Sequence, residues 1–205
     1  MSNGKFIVFE GIDGAGKSTQ VALLTERLRS LGNDVHLTAE PTAMPSGKAI
    51  REALSGSTPK SECEMAAMFV LDRIAHNSAE ILPLTNEGKT VISDRYYYSS
   101  LAYQGQATDY DWVKTMNLAC PDIKRPDLCI YLDLLPEQSL ARIKARNEAL
   151  EIYENIEKLT GVRNSFLAVI NDLKKEGEKI FVVNADRAPQ DIAKEIFDIV
   201  KAELL

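Results

Sequence analysis

The chain opens with an apolar run, a glycine-rich loop and an amphipathic segment that follow one another without interruption. The apolar run Phe6–Glu10 has the length and composition of a buried strand. The segment Lys17–Leu31 places Val21, Leu24 and Leu28 at the spacing of one helical face. This order of strand, loop and helix is the arrangement that a phosphate-binding loop requires.

The loop itself fits the pattern G-x-x-x-x-G-K-[ST]. Its glycines permit backbone torsions closed to other residues, and consecutive N–H groups form an anion-binding nest at the helix start. Lys17 would bring charge to the β- and γ-phosphates of a nucleotide, and the Ser18 hydroxyl would bind Mg²⁺. The alternative is a glycine-rich turn without a ligand, and the flanking strand and helix argue against it. The predicted nucleotide-binding residues are Gly11, Ile12, Asp13, Gly14, Ala15, Gly16, Lys17, Ser18 and Thr19.

Four more strand-like runs alternate with helical patterns along the rest of the chain. They are apolar through most of their length, which is typical of a parallel sheet covered on both faces. The alternation predicts one doubly wound α/β domain over residues 1–205, with ligands at the carboxyl ends of the strands. The further predicted strands are Val35–Ala39, Thr90–Asp94, Leu128–Asp133 and Lys179–Asn184. The predicted helices are Lys17–Leu31, Ser61–Leu82, Asp109–Cys120, Pro136–Arg146, Glu154–Lys175 and Pro189–Leu204.

The composition narrows the possible partners and compartment. A net charge of −6 provides no basic field for general nucleic-acid binding. The apolar runs are too short to span a membrane, and the amino terminus lacks a signal-peptide pattern. Cys63, Cys120 and Cys129 lack C-x-x-C spacing and are expected as free thiols in a reducing compartment. His36 and His76 are isolated and are expected at the surface or in ordinary packing, and we expect a cytoplasmic protein without a nucleic-acid or membrane partner.

A second chemical motif lies at the end of the strand-like run before Asp94-Arg95-Tyr96. Asp94 is placed to bind Mg²⁺, and Arg95 to clamp a second phosphate with two N–H groups. The alternative is a surface ion pair at a strand end. Asp133 ends another strand and is a weaker metal candidate. No N-K-x-D segment of the kind that recognises guanine occurs, so GTP is not expected as the donor.

Several segments resemble those of the thymidylate kinases and occur in that family's order over nearly the whole chain. The resemblance implies a three-layer α/β P-loop kinase fold, in which helices flank a parallel five-stranded sheet on both faces. It also implies the reaction ATP + dTMP → ADP + dTDP with Mg²⁺, a step of dTTP biosynthesis. The matching segments are Glu10–Thr19 (E-G-x-D-G-x-G-K-S/T), Met68–Arg73 (the thymine-pocket helix), Asp94–Gly105 (D-R-Y…S-x-x-A-Y-Q-G), Asp127–Glu137 (P-D-L-x-I-Y-L-D-x-x-P-E) and Asn184–Asp186 (the segment before the last helix).

The resemblance assigns four residues to the acceptor base. It implies that Phe69 stacks on the thymine ring and that Arg73 donates to a thymine carbonyl. Ser100 and Gln104 are expected near the base. The alternatives are that Phe69 belongs to the ordinary core and that Arg73 pairs with an acid of its own helix.

The same resemblance assigns the sugar and the phosphate of the acceptor. Tyr103 is expected against the sugar, where a 2′-hydroxyl would project, and Arg95 at the 5′-phosphate. Asp13 is expected at the 3′-hydroxyl. Glu40 is expected near the site, where it would orient Arg95 or a metal-bound water. Many members carry arginine where this chain has Ala39, so one neighbouring phosphate contact is in question.

Charge over the transferred phosphate is expected from a lid near residues 142–155. Ala15 occupies a position where some thymidylate kinases carry arginine, so the cation must come from elsewhere. Arg142 and Arg146 lie four residues apart on one predicted helix face, and we expect Arg146, then Arg142, to close over the γ-phosphate. The alternative is a solvated helix end paired with nearby acids. The predicted catalytic residues are Lys17, Asp13, Arg95, Arg142 and Arg146.

Two other functions stay open at this point. A deoxynucleoside kinase would phosphorylate a nucleoside without a phosphate, and Arg95 argues against it. A nucleotide-sensing P-loop protein would bind tightly without transfer, and the constellation of Phe69, Arg73, Arg95 and Tyr103 argues against that. The resemblance also implies a homodimer formed through helices.

Overall fold

The computed structural model describes residues 4–145 and 156–205. Its sheet has five parallel strands. All five predicted strands are confirmed, the last one beginning a single residue later than expected. The strands are Phe6–Glu10 (β1), Val35–Ala39 (β2), Thr90–Asp94 (β3), Leu128–Asp133 (β4) and Ile180–Asn184 (β5). They lie in the sheet in the order β2-β3-β1-β4-β5.

Helices cover the sheet, as the alternating pattern predicts. Pro45–Leu54 and Tyr97–Ala107 are helices that were not predicted. The predicted helix Ser61–Leu82 corresponds to Glu62–His76 followed by a π-helical turn at Asn77–Ile81, and a further short helix continues to Asn86. The helices in the described part of the chain are Lys17–Ser30 (α1), Pro45–Leu54 (α2), Glu62–His76 (α3), Leu82–Asn86 (α4), Tyr97–Ala107 (α5), Tyr110–Leu118 (α6), Pro136–Ala145 (α7), Ile156–Lys175 (α8) and Pro189–Leu204 (α9).

The central strand β1 is buried along its whole length, which is expected of a strand with helices on both faces. Helices α1 and α9 pack against each other, while α5 packs against α3, α6 and α8. The sheet and most helices share one large apolar core that gives the predicted three-layer α/β fold, and Ile50, Ala53 and Met65 form a second, smaller cluster between α2 and α3.

The strand register brings the chemical motifs to one edge of the sheet. Phe9 of β1 is paired with Asp94 of β3, and Glu10 is paired with Tyr131 of β4. The loop after β1 therefore lies beside the segment that follows β3. None of the described helices is both long and apolar enough to cross a membrane.

Candidate active site

The glycine loop turns sharply from β1 into α1. Gly16 caps the helix with a φ of 93°, a left-handed conformation that favours glycine. A Cβ atom on Gly14 would lie 2.8 Å from the carbonyl oxygen of Ser139, so that position also requires glycine. No side chain caps the start of α1, and its first N–H groups are left for an anion.

Lys17 lies inside this loop and is only 8 % exposed. Its ammonium group donates to the carbonyl oxygens of Gly11 and Ile12 at 2.9 and 3.3 Å. Burial, reinforced by the neighbouring charge of Arg95, lowers the pKa of Lys17. An anion bound in the loop would relieve both effects, so this ammonium is suited to a phosphate.

The two predicted metal-binding residues lie together. The Ser18 hydroxyl donates to Oδ2 of Asp94 at 3.3 Å. A hydroxyl and a carboxylate are hard oxygen ligands of the kind that Mg²⁺ prefers, usually with phosphates and waters completing its shell. Within residues 4–145 and 156–205, no group of three or more His, Cys, Asp and Glu side chains is arranged for a metal. The weaker candidate Asp133 accepts hydrogen bonds from Nε and Nη2 of Arg163, at 2.7 and 2.8 Å.

Arg95 connects the end of β3 to the glycine loop. It has a φ of 73°, uncommon for a residue with a side chain. Its guanidinium donates to Ser99 Oγ at 3.1 Å and to Oδ1 of Asp13. Burial opposes ionisation of Asp13, but the charges of Arg95 and Lys17 outweigh it and lower the pKa of that carboxyl. The structure thus brings together three of the predicted catalytic residues.

Glu10 had no predicted role, and its side chain binds the segment that contains Arg95. Its carboxyl is buried and accepts the N–H groups of Tyr96 and Ser99 at 2.8 and 3.2 Å, and the Ser99 hydroxyl at 2.7 Å. Burial raises the pKa of Glu10 to about 7, against the opposing charge of Arg95. A charged residue at the end of an otherwise apolar strand was the available signal.

The raised pKa of Glu10 predicts a pH-dependent stability. The folded protein keeps a proton that the unfolded chain releases near pH 4.5, so the Glu10 contribution is complete below that pH and lost as the pH passes about 7. At about 1.4 kcal/mol for each pKa unit, the loss is on the order of 3 kcal/mol. Urea unfolding from pH 4.5 to 8 should show this slope in the parent and a flatter one in Glu10→Gln. Parallel curves for the two proteins would contradict it.

A cavity of about 260 Å³ opens beside the glycine loop. Five of the predicted acceptor-site residues line it. Arg51 and Leu54 of α2 line it as well, and neither they nor their helix were predicted from the sequence. Phe69 lines the cavity and also packs on the apolar cluster around Ile50, so it is part of both site and core. The lining residues are Asp13, Pro41, Arg51, Leu54, Phe69, Arg95, Ser99, Tyr103 and Gln104.

Arg73 and Ser100 are buried and are not among the residues that line the cavity. Both Nε and Nη2 of Arg73 donate to Oε2 of Glu40, at 2.9 and 2.6 Å. Ser100 Oγ lies 3.3 Å from both terminal nitrogens of Arg73, and Asn117 accepts from Nη1. That Arg73 donates to the base stays a prediction.

Glu40 contacts a different arginine from the one expected. We expected it to orient Arg95 or a metal-bound water, but its carboxylate pairs with Arg73. The reason is tertiary, because the end of β2 faces α3, while Arg95 is held by Asp13 and Ser99. The partner of Arg73 is likewise not an acid of its own helix.

Comparison with known proteins agrees with this geometry. A family model described as Thymidylate kinase matches residues 9–196. The chain belongs to the thymidylate kinase family. It is 43 % identical to the probable thymidylate kinase of Pyrococcus horikoshii, and the alignment covers 98 % of each chain. It is 38 % identical to the thymidylate kinase of Leptospira interrogans, over 87 % of this chain and 90 % of that one. The predicted family is confirmed, and the protein is a nucleoside monophosphate kinase.

In this member of the thymidylate kinase family, Arg142 lies beside the glycine loop. Its guanidinium donates to the carbonyl oxygen of Ala185 at 3.0 Å and reaches that of Gly14 at 3.4 Å. It therefore joins the glycine loop to the segment after β5. The other predicted lid arginine, Arg146, lies outside the described residues, as does the rest of the predicted lid through residue 155.

Proposed function

We propose that the protein transfers the γ-phosphoryl group of Mg·ATP to the 5′-phosphate of dTMP, giving ADP and dTDP for dTTP biosynthesis. The observation that carries this proposal is the position of Arg95. The residue lines the acceptor cavity and also pairs with Asp13 of the glycine loop. An acceptor phosphate bound by Arg95 would lie next to the phosphates of a donor bound in the loop, as direct transfer requires.

Donor binding would use the loop N–H groups and the Lys17 ammonium, which would exchange its carbonyl partners for phosphate oxygens. Ser18 and Asp94 would hold Mg²⁺, which offsets phosphate charge when bound. An oxygen of the acceptor phosphate forms the new bond to the γ-phosphorus as the bond to the β-phosphate oxygen breaks. Lys17 and Arg95 would stabilise the charge on the two sides of this transfer, with further charge from Arg142 and Arg146.

Acceptor binding would use the cavity walls. Phe69 would stack on thymine, Gln104 would lie near the base and Tyr103 would press on the sugar. Asp13 would contact the 3′-hydroxyl, and Arg73 with Ser100 would approach a base carbonyl.

We also propose a cytoplasmic homodimer that is formed through helices. Leu71 on α3 is 61 % exposed, so its side chain is accessible to a second chain. Analytical ultracentrifugation should give twice the chain mass, and Leu71→Glu should shift the distribution to the monomer.

The direct test measures ADP formation from Mg·ATP with dTMP, dUMP, dCMP and thymidine offered separately. Preferential turnover of dTMP supports donor site, acceptor site and reaction together. Turnover of thymidine but not dTMP would replace the proposal with a deoxynucleoside kinase. Tight ATP binding without turnover of any acceptor would place the protein among nucleotide sensors.

The assignment of Asp94 to the metal predicts a changed Mg²⁺ requirement. Asp94→Asn removes one charged oxygen ligand, so the Mg²⁺ concentration for half-maximal rate should rise about tenfold or more. Asp111→Asn, on the exposed start of α6, is the matched control and should leave the requirement unchanged. An unchanged requirement in Asp94→Asn would remove this residue from the metal site.

A further inference from the structure

His76 is buried at the end of α3 without an assigned role. None of its side-chain surface is exposed, and its Nδ1 lies 3.0 Å from Oε1 of Glu40. Glu40 is the carboxylate that holds Arg73. Since an ionised carboxylate only accepts hydrogen bonds, Nδ1 is the donor in this contact.

The Glu40–Arg73 pair has an unusual form that gives His76 its importance. Arginine and carboxylate commonly form a fork, in which two N–H groups meet two oxygens. Here both N–H groups of Arg73 meet the same oxygen, Oε2. The second oxygen, Oε1, is bound by His76. The His76 ring therefore keeps Oε1 away from Arg73. Without the ring, the Glu40 carboxylate could rotate to offer both oxygens to Arg73, and the guanidinium would move with it.

The other side of the ring is anchored to β2 and to the π-helical turn. Nε2 of His76 lies 2.7 Å from the Thr38 hydroxyl oxygen, which lies 3.0 Å from Oε2 of Glu80. Glu80 also lies 3.7 Å from the His76 ring and 3.2 Å from Nε2 of the half-exposed His36. The charged and titratable groups around this chain of contacts are Arg73, Glu40, Glu80 and His36. The ring is therefore fixed on both sides, as a support for Glu40 requires.

We infer that His76 is a positioning residue for the acceptor site: its Nδ1–H fixes Glu40, and Glu40 holds the buried Arg73 guanidinium against Ser100, the two residues that the proposed function assigns to the acceptor base. The inference rests on the proposed function, because it takes dTMP as the acceptor whose binding is affected. The contact between the ring and Glu40 does not depend on it. The role exceeds the ordinary packing that the sequence predicted for this histidine.

Two substitutions separate positioning from packing. Asparagine carries its side-chain nitrogen on Cγ, as Nδ1 is carried, so His76→Asn can still donate to Glu40. Glutamine carries its nitrogen one bond further out, near the place of Nε2, so His76→Gln loses that donor and keeps one toward Thr38. Both variants exchange the ring for a neutral amide, and they should lose similar thermal stability.

The kinetic result we expect is a difference in the KM for dTMP. His76→Gln should raise it about tenfold, and His76→Asn about threefold or less, since one hydrogen bond to a charged group is changed. The KM for ATP should stay the same in both. His36→Gln, at the surface end of the same chain of contacts, is the matched control and should behave as the parent. Equal acceptor KM values for the Asn and Gln variants would overturn the inference.

A second measurement needs no turnover. The chain has two histidines, so a ¹⁵N-histidine-labelled sample contains two rings, and His36→Gln assigns them. The tautomer of a histidine follows the hydrogen bond it makes. We expect a protonated Nδ1 in His76, and a proton confined to Nε2 would overturn the inference. If the parent does not phosphorylate dTMP, the proposed function fails while this spectrum still decides the contact with Glu40.

Discussion

We expect Lys17→Ala to lower kcat by about three orders of magnitude while the protein stays folded. The ammonium group is held inside the glycine loop by two carbonyl oxygens, where the donor phosphates would replace them. Its loss would remove a positive charge from the phosphates that gain charge during transfer. Arg95, the cation whose charge acts on Lys17 most strongly, is already engaged by Asp13 and Ser99 and is assigned to the acceptor phosphate.

The fold should survive because the charge of Lys17 does not stabilise the folded state. Burial and the nearby Arg95 lower the pKa of Lys17, which means that the folded protein holds the charged form at a cost. Alanine removes that cost together with the packing of the aliphatic stem. Circular dichroism and a thermal melt should therefore resemble those of the parent.

The measurement is single-turnover formation of dTDP at saturating ATP and dTMP. Lys89→Ala is the control, since Lys89 forms a surface ion pair with Glu87 at 3.1 Å, away from the glycine loop. It should keep the parent rate. A parent-like rate in Lys17→Ala would show that transfer does not occur at this loop.

The central strands β1, β3 and β4 could be predicted because burial on both faces leaves a continuous apolar run. β1 and β4 are buried over nearly their whole length and therefore appear in the sequence as unbroken apolar runs. Helix α5 gave no such signal. It buries seven of its eleven residues, polar ones included, so no amphipathic period marks it.

Helix α2 was missed for a different reason. Pro45 and Gly47 favour a loop by composition, yet proline suits the first turn of a helix. Gly47 is required by packing, since a Cβ there would lie 2.0 Å from the carbonyl oxygen of Thr42. Arg51 and Leu54 of the acceptor cavity were lost with this helix.

The P-loop motif predicted its own local geometry, but it could not predict long-range pairing. Glu40 and Arg73 are 33 residues apart in sequence, and their contact follows from how β2 and α3 pack. The contact between His76 and Glu40 depends on the same packing, whereas the sequence predicted only a surface or packing role for this histidine. The sequence therefore predicted candidate residues for the site, while the contacts among them required the structure.

We expect Arg95→Ala to raise the KM for dTMP about a hundredfold and to change the KM for ATP about twofold or less. The guanidinium lines the acceptor cavity and is already oriented by Ser99 and Asp13, so its two N–H groups are prepared for a phosphate. Both of its partners, Ser99 and Asp13, also line this cavity. Most of the lost binding free energy should thus appear in the acceptor KM.

The backbone at this position makes alanine the right replacement. A φ of 73° strains any residue with a Cβ, so alanine keeps the strain of arginine and isolates the loss of the guanidinium, whereas glycine would also relax the backbone. Arg125→Ala, which removes a surface partner of Glu178, is the matched control. Steady-state kinetics with dTMP varied at saturating Mg·ATP measure the effect. If the KM for dTMP in Arg95→Ala equals that of the parent, the acceptor phosphate binds elsewhere. Alanine offers no group that could replace the positive charge of the guanidinium.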